Sequence, residues 1–292
     1  MGVKGLYSYL RPYRHQVDLQ TVSKGVIGVD ALSMLYKFRG NTEMILKFLE
    51  PFLSLGCTPL FVFDGKAPEE KKEEVEGRKA KRNDAREEAT VLKNYLELPE
   101  TVATLDEKGK QLVERKIHSL EMGKGWYITR TMRYLFQDTL RAKNIPYVKA
   151  KGEADDVLMS LWSDKKLVSI ISCDMDFLVA GVERLWIPNM NGCEEILLSK
   201  VLEKEDLTMS SFMDAAILCG VSSGYVFLNM YPQKAFTFMR HYGCLETLAE
   251  KQPHKFMIDR SEILQKIRGR FLIFVKAEEL VRDEYRDVLK RL

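Results

Sequence analysis

Short apolar runs recur along the chain, separated by stretches whose apolar residues repeat at helical spacing. Val26-Ile27-Gly28-Val29, Leu60-Phe61-Val62-Phe63, Ile145-Pro146-Tyr147-Val148 and the run from Leu167 to Ser172 are short, rich in β-branched or aromatic residues and almost free of charge. Such runs suit strands buried on both faces of a parallel sheet. The pattern predicts strands at 25–30, 59–63, 145–148 and 167–172, with Leu185-Trp186-Ile187 near the sheet edge. Between them it predicts a short amphipathic helix carrying Leu6 and Leu10 and followed by a loop. Next comes a helix over 31–54, broken near Gly40, with Ile45, Leu46, Phe48 and Leu49 as its apolar face. A long charged stretch, 66–97, reads as an exposed helix, and 98–124 has weak periodicity and reads as mobile and partly helical. Further helices are expected at 128–142 and 154–161. Beyond residue 198 the pattern turns helical, at 210–218, 233–242, 245–249 and 261–291, around a second, smaller core. The whole predicts an α/β fold with a mostly parallel central sheet flanked by helices, residues 1–200. A closely packed α-helical C-terminal part, 201–292, follows.

Composition adds little to this picture, and the distribution of charge adds more. The chain has 292 residues, 46% hydrophobic and 30% charged, with a formal net charge of +3. From Lys66 to Glu88, eight basic and eight acidic residues alternate, whereas Lys108 to Arg133 holds seven basic residues against two acidic ones. The second stretch has the character of an electrostatic contact surface. Trp126, Tyr127 and Tyr134 interleave with its cations, as in channels for single-stranded nucleic acid. Tyr134 and Phe136 serve equally well as core residues. The five cysteines are widely spaced, with no Cys-x-x-Cys, which fits buried free thiols in a reducing compartment and shows no zinc site. No apolar stretch approaches the roughly 18 residues of a membrane span, and no signal peptide is visible. The expectation is a soluble, intracellular protein without a membrane partner, which leaves the compartment open between the nucleus and a site of viral replication.

Seven acidic residues carry the chemistry. Asp30 and Asp64 close two apolar runs; Glu153, Asp155 and Asp156 lie in Gly-Glu-Ala-Asp-Asp; Asp174 and Asp176 follow a third run. The C-terminal ends of parallel strands open on the crevice where α/β proteins bind ligands. On a helix beginning near Glu153, residues 153 and 156 share a face and 155 lies about 100° away. Asp174 and Asp176 alternate on an extended segment and point to one side. Each pair alone is a common loop or cap feature. Gathered together they repel one another, and their burial needs a cation. Two hard divalent ions about 4 Å apart would serve, Mg²⁺ above all, with Mn²⁺ able to substitute. The pattern predicts a two-metal phosphodiesterase.

These residues bring a family into view. Met1-Gly-Val-Lys-Gly-Leu6, Ile27-Gly-Val-Asp-Ala31 with Tyr36, Phe61-Val-Phe-Asp-Gly-Lys66, Ile145-Pro-Tyr147, Gly152-Glu-Ala-Asp155 and Cys173-Asp-Met-Asp176 occur in this order over roughly residues 1–245. In this the chain resembles the flap endonuclease/XPG (RAD2) family of structure-specific 5′ nucleases, as a compact, divergent member whose brevity would suit a viral origin. The resemblance implies a PIN-like 5′-nuclease fold with a helical arch at about 79–135 and a degenerate helix-two-turn-helix in the C-terminal part. It also implies two metal ions held by the acidic residues and a free Gly2 beside the site. Tyr36 would stack on the nucleotide next to the scissile phosphate, and Lys71 and Arg78 would contact that phosphate. Being two helical turns apart, these two share a face. Without the family they would read as surface charges of a mixed-charge helix. Lys124, Arg130 and Lys234 are the further candidates for nucleic-acid contact. The implied partner is branched or nicked DNA at single-strand/double-strand junctions.

The chain also departs from the family. Where the family carries Gly-Ser-Asp-Tyr, with its Asp a metal ligand, this chain has Gly220-Val-Ser222-Ser223, and Asp156 is a possible substitute. Where the family has a Gly-x-Gly-Pro-Lys hairpin on the duplex backbone, this chain reads Asn229-Met-Tyr-Pro-Gln233. The segment between Tyr36 and Asp64 is short, and no sliding-clamp motif is seen at the end. Two other readings therefore stand beside the DNA nuclease: a non-catalytic family member that binds nucleic acid, and an RNA endonuclease on the same scaffold.

Overall fold

The computed structural model describes residues 3–189, 192–220, 230–252, 265, 267–269, 271 and 275–291. Among these, seven strands form one mixed sheet in the order β1-β7-β6-β5-β2-β3-β4. They are β1 (His15–Gln16), β2 (Val26–Asp30), β3 (Thr58–Phe63), β4 (Tyr147–Lys149), β5 (Leu167–Ile171), β6 (Arg184–Asn189) and β7 (Gly192–Leu197). The strands from β4 through β3, β2 and β5 to β6 run parallel, and β6–β7 and β7–β1 are antiparallel. The α/β class and the parallel centre are as the apolar runs predict.

The helices follow the sequence closely where one side is apolar. The expected break at Gly40 divides α2 (Ala31–Lys37) from α3 (Thr42–Ser54), with Gly40 at φ 72°, and Asn41 caps α3 through Met44 N at 3.0 Å. Helix α7 (Arg130–Ala142) buries Phe136 edge-on against Phe61 of β3. Helix α8 (Ala154–Ser163) lies on the opposite face of the sheet. It packs so closely over β2 that a Cβ at Gly28 would sit 2.7 Å from both Leu158 and Leu167. Removing the side chain at that one strand position lets helix and sheet meet.

Other expectations are corrected or filled in. The run at 185–187 is not near the sheet edge. It is the middle of β6, extended by a hairpin to β7 in which Trp186 faces Glu195 and donates its indole N–H to that carboxylate at 2.9 Å. Two further strands thus lie outside it. The weakly periodic segment forms α5 (Pro99–Thr104), α6 (Glu107–Ser119) and a π-turn, Leu120–Lys124. Val113, Ile117 and Leu120 make a narrow stripe that packs on Ala85 and Ala89 of α4 (Lys72–Glu97), too narrow to dominate the periodicity. Lastly, 261–291 is not one helix. Its described residues include two short helices, Ala277–Leu280 and Arg286–Lys290, and between them Val281 pairs with Ala150 beside β4.

The chain divides into two compact units, Glu69–Thr129 and the remainder. The first is built on α4, α5 and α6. Within it Tyr127 lies beneath the guanidinium groups of Arg82 and Arg86, 5.2 and 4.5 Å from the ring centre. In the second, α10 (Leu198–Glu205), α11 (Met209–Cys219), α12 (Pro232–Tyr242) and α13 (Leu245–Lys251) share a continuous apolar core with the sheet. Among the described residues these helices form no core of their own, because Phe212, Ile217 and Phe236 extend the layer begun by Leu158 and Phe177. No described helix is long and apolar enough to cross a membrane.

One buried charge anchors these helices. Asp214 of α11 is fully buried and accepts from Arg268 Nε and Nη2 at 2.8 and 2.7 Å and from Leu245 N at 3.0 Å. Arg268 also forks onto Glu246, at 2.6 and 3.0 Å, and holds that carboxyl down at about 2. Arg268→Ala should destabilise the protein by about 3–5 kcal/mol in denaturant titrations, because it leaves Asp214 buried and unpaired. Glu246 has a folded pKa below its ordinary value of 4.5. Its stabilising contribution is therefore complete above pH 4.5 and is lost as pH falls toward 2. Stability measured between those values should fall less steeply in the variant than in the wild type.

Candidate active site

The chain leaves β2 to build β3 and β4 on one side, then returns to place β5 and β6 on the other. β2 is therefore the switch point at which adjacent connections part and leave a crevice beyond the strand ends. Asp30 is the last residue of β2, Asp64 follows β3, and Asp174 lies three residues beyond β5. Neighbouring parallel strands bring these three carboxylates to one edge of the sheet. Asp155 and Asp156 lie in the first turn of α8 with Glu153 as its N-cap, and Asp176 opens the short helix α9 (Asp176–Val179).

Backbone amides orient the carboxylates. Asp30 caps α2, accepting Ser33 N at 3.0 Å on Oδ1 and the Ser172 hydroxyl at 2.9 Å on Oδ2. Asp64 Oδ1 accepts Ala154 N at 2.7 Å, which ties the end of β3 to the start of α8. Asp174 N donates to Ser172 Oγ at 3.0 Å, and Asp174 Oδ1 accepts Asp176 N at 3.1 Å. Asp176 Oδ1 accepts Val3 N at 2.9 Å, deep in the protein. Ser33, Ser172 and the Val3 amide are parts of the site that the acidic pattern did not reveal. Ser33 carried a readable signal, since Asp-x-x-Ser before an apolar helix is a capping arrangement. The other two are brought in by the fold alone.

Electrostatics shows that the carboxylates converge. Burial, then the charge of Asp64, raises the Asp30 carboxyl to about 6, against hydrogen bonds from Ser33 and Ser172 that pull it down; Asp174 adds to the rise. Asp155 is pushed well above the carboxylate range by burial and by Asp30, Asp174, Asp64 and Asp176. Five of the seven predicted residues thus act on one another, with Glu153 and Asp156 beside Asp155 on the same turn. An all-oxygen, strongly negative donor set suits a hard divalent cation such as Mg²⁺, and the buried repulsion is what such an ion would relieve. Among the described residues, no three Asp, Glu, His or Cys side chains are already drawn together as an ion's ligands. Bare carboxylates repel, so a ligand sphere requires side-chain adjustment.

The other candidates are dispersed. Tyr36 stands in the last turn of α2, 45% exposed. Arg130 opens α7 and donates to the Tyr134 hydroxyl from Nε at 3.1 Å and Nη2 at 2.9 Å. Tyr134 is exposed, with Lys149 Nζ 5.4 Å from its ring centre, whereas Phe136 is fully buried. Lys234 is exposed in the first turn of α12. Lys71, Arg78 and Lys124 belong to the unit Glu69–Thr129. Lys71 caps α4 after a 3₁₀ turn, Arg78 pairs with Glu74 at 3.4 Å, and Lys124 is exposed at the end of the π-turn. Gly2, Ser222, Ser223 and Asn229 lie outside the described residues.

Gly65 registers the site. Its N–H donates to Gly152 O at 2.7 Å and Lys66 N to Lys151 O at 3.0 Å, joining the turn after β3 to the turn before α8. A Cβ at Gly65 would lie 2.2 Å from Ala150 O and 2.4 Å from Lys151 O. Gly65→Ala should therefore force these backbones apart, lowering stability by about 1–3 kcal/mol in thermal or denaturant unfolding. It should also speed exchange of the Ala154 amide held by Asp64. A second expectation concerns pH in the presence of a chelator. Folded Asp30 holds its proton to about pH 6, above its ordinary value of 3.8, so rising pH between these values disfavours folding. Asp30→Asn should raise the unfolding midpoint at pH 7.5, and the gain should vanish by about pH 4.

Comparison with known proteins agrees with this geometry. Residues 1–85 match the XPG N-terminal domain and residues 144–222 the XPG I-region. Flap endonuclease 1 of Zea mays is 29% identical over 279 residues, covering 86% of this chain and 69% of that protein. Flap endonuclease 1-A of Sorghum bicolor is 30% identical, covering 86% and 69%, and flap endonuclease 1-B of Physcomitrium patens 30%, covering 86% and 75%. The chain spans 49–76% of the length of such relatives. Among solved structures, the catalytic core of Rad2 in complex with DNA substrate superposes with a TM-score of 0.60 at 19% identity, covering 93% of this chain and 80% of that one. The flap endonuclease-1 from Methanococcus jannaschii gives 0.58 at 17%, covering 90% and 83%. At these identities the solved structures speak for the fold, and the family models and curated relatives for the lineage. With its strand-end carboxylates in the family's order, the chain belongs to the flap endonuclease/XPG family of nucleases.

Proposed function

We propose that this protein is a divalent-metal-dependent, structure-specific 5′ nuclease that hydrolyses phosphodiester bonds in flap, branched or nicked DNA. One observation carries the reading: at the switch point of the sheet Asp64 and Asp174 act on both Asp30 and Asp155, and Asp176 on Asp155, raising the proton affinity of those two carboxyls. In this reading Asp30, Asp64, Glu153, Asp155, Asp174 and Asp176 hold two Mg²⁺ ions, and Asp156 supplies a carboxylate in place of the one absent at Ser222. When bound, such ions lower the pKa of an attacking water and neutralise charge developing on the phosphate. The chain's own groups then orient the substrate. Tyr36 offers an exposed ring to the neighbouring base. Lys71 and Arg78 provide cations for the phosphate, as the family resemblance implies, and Lys124, Arg130 and Lys234 provide further backbone contacts. The unit Glu69–Thr129 corresponds to the family's arch.

Ser222 motivates a second reading, a scaffold that binds nucleic acid without cutting it. Cleavage of a labelled 5′-flap DNA in Mg²⁺ or Mn²⁺ decides between the two, with single-stranded DNA and matched RNA alongside. The expected result is metal-dependent cutting of the flap, reduced about 10³-fold in Asp174→Ala, which corresponds to several kcal/mol of transition-state stabilisation. Retained DNA binding without cutting in the wild type would establish the binding scaffold instead. Preferential cutting of RNA would establish the RNA endonuclease.

A further inference from the structure

The N-terminal segment is held at two ends. At one, Val3 N–H donates to Asp176 Oδ1 at 2.9 Å. At the other, the hydroxyls of Tyr9 (2.8 Å) and Tyr13 both donate to Oε1 of Glu205, the last residue of α10. Glu205 Oε2 accepts Arg240 Nη1 of α12 at 2.6 Å. The Glu205 side chain is 6% exposed, so a carboxylate here is costly without partners. Between the ends, α1 (Leu6–Tyr9) buries Leu6 completely, Tyr9 packs on Phe236 of α12 at 4.6 Å, and Gly5 (φ 75°) leaves just enough room for Pro232.

We propose that Glu205 is a positioning residue for the nuclease site: it clamps the N-terminal segment to α12 so that the Val3 amide fixes Asp176. The arrangement resembles an outer-shell support in a metal site, in which a hydrogen-bonded group holds a ligand's orientation. Two tyrosines and an arginine on one buried carboxylate leave the segment little freedom, and Val3, which meets Asp176, lies only a few residues along it from Tyr9. Helix α12 also bears Lys234, so the same clamp joins the Asp176 side of the site to a helix offered to nucleic acid. This inference rests on the metal-dependent reading above.

The test is Mn²⁺ binding without DNA, followed by loss of the free-ion electron paramagnetic resonance signal, together with hydrogen exchange of the amides in residues 3–9. Glu205→Ala should weaken Mn²⁺ binding about tenfold and quicken that exchange. Glu205→Gln, which keeps an acceptor for a tyrosine but no charge for Arg240, should fall between. Arg268→Ala destabilises the same helical layer without touching the segment. It should lower the melting temperature and leave both readouts at wild-type values. If Glu205→Ala does not fold, Tyr13→Phe removes one hydroxyl and should shift both readouts in the same direction. Unchanged Mn²⁺ affinity and exchange in the folded Glu205 or Tyr13 variant would overturn the clamp. So would an equal shift in Arg268→Ala, which would reveal general loosening. Failure of the wild type to bind Mn²⁺ would overturn the metal-dependent reading and the clamp with it.

Discussion

Mutual repulsion among buried carboxylates is the constraint around which this molecule is organised. Asp30 and Asp176 are buried, Asp155 and Asp174 half-buried and Asp64 exposed, and the charges of Asp64 and Asp174 reach both Asp30 and Asp155. Their repulsion favours proton uptake at Asp30 and Asp155, and hydrogen bonds limit how far the side chains can swing apart. Hydrogen-bond donors orient them: a helix-capping amide and the Ser172 hydroxyl for Asp30, the first amide of α8 for Asp64, the Asp176 amide for Asp174 and the Val3 amide for Asp176. The stability of the protein is thus partly spent on holding an unfavourable charge arrangement, as expected where function and stability conflict.

Holding that arrangement requires close backbone approach at two points, and glycine occupies both. Gly28 lets α8 press on β2, and Gly65 lets the turn after β3 pair with the turn before α8. Both place α8, and so Asp155, relative to the strand-end aspartates. The family signature is therefore more than a set of carboxylates. The glycines of Gly-Val-Asp and Asp-Gly-Lys set how closely α8 approaches the strand ends that carry them. Around this centre the C-terminal helices add one further layer to the same core and carry their own satisfied charges, Asp214 with Arg268 and Glu205 with Arg240.

One departure from the family lies among the described residues, at the start of α12. Tyr231, 80% exposed as the N-cap of α12, puts a large ring where the resemblance leads one to expect a glycine-rich turn. The strand-end aspartates, by contrast, keep the order expected of the family.

Much of this was legible in the sequence because strands buried on both faces must be apolar throughout, so a carboxylate at the end of such a run is conspicuous. Asp30, Asp64, Asp174 and the break at Gly40 could be read in this way. The segment 98–124 could not, because its buried stripe is three residues wide and its packing partners, Ala85 and Ala89, lie on another helix. The β6–β7 hairpin was hidden for a similar reason: Trp186 finds its hydrogen-bond partner, Glu195, only across the strands. The sequence by itself determined which residues could bear the chemistry, since residue type and local spacing set charge, donor class and strand ends. Only the tertiary structure decided that Val3, Ser172 and Glu205 support them. Those contacts join residues more than a hundred positions apart, and no local pattern encodes which distant amide or hydroxyl the fold will deliver to a buried carboxylate.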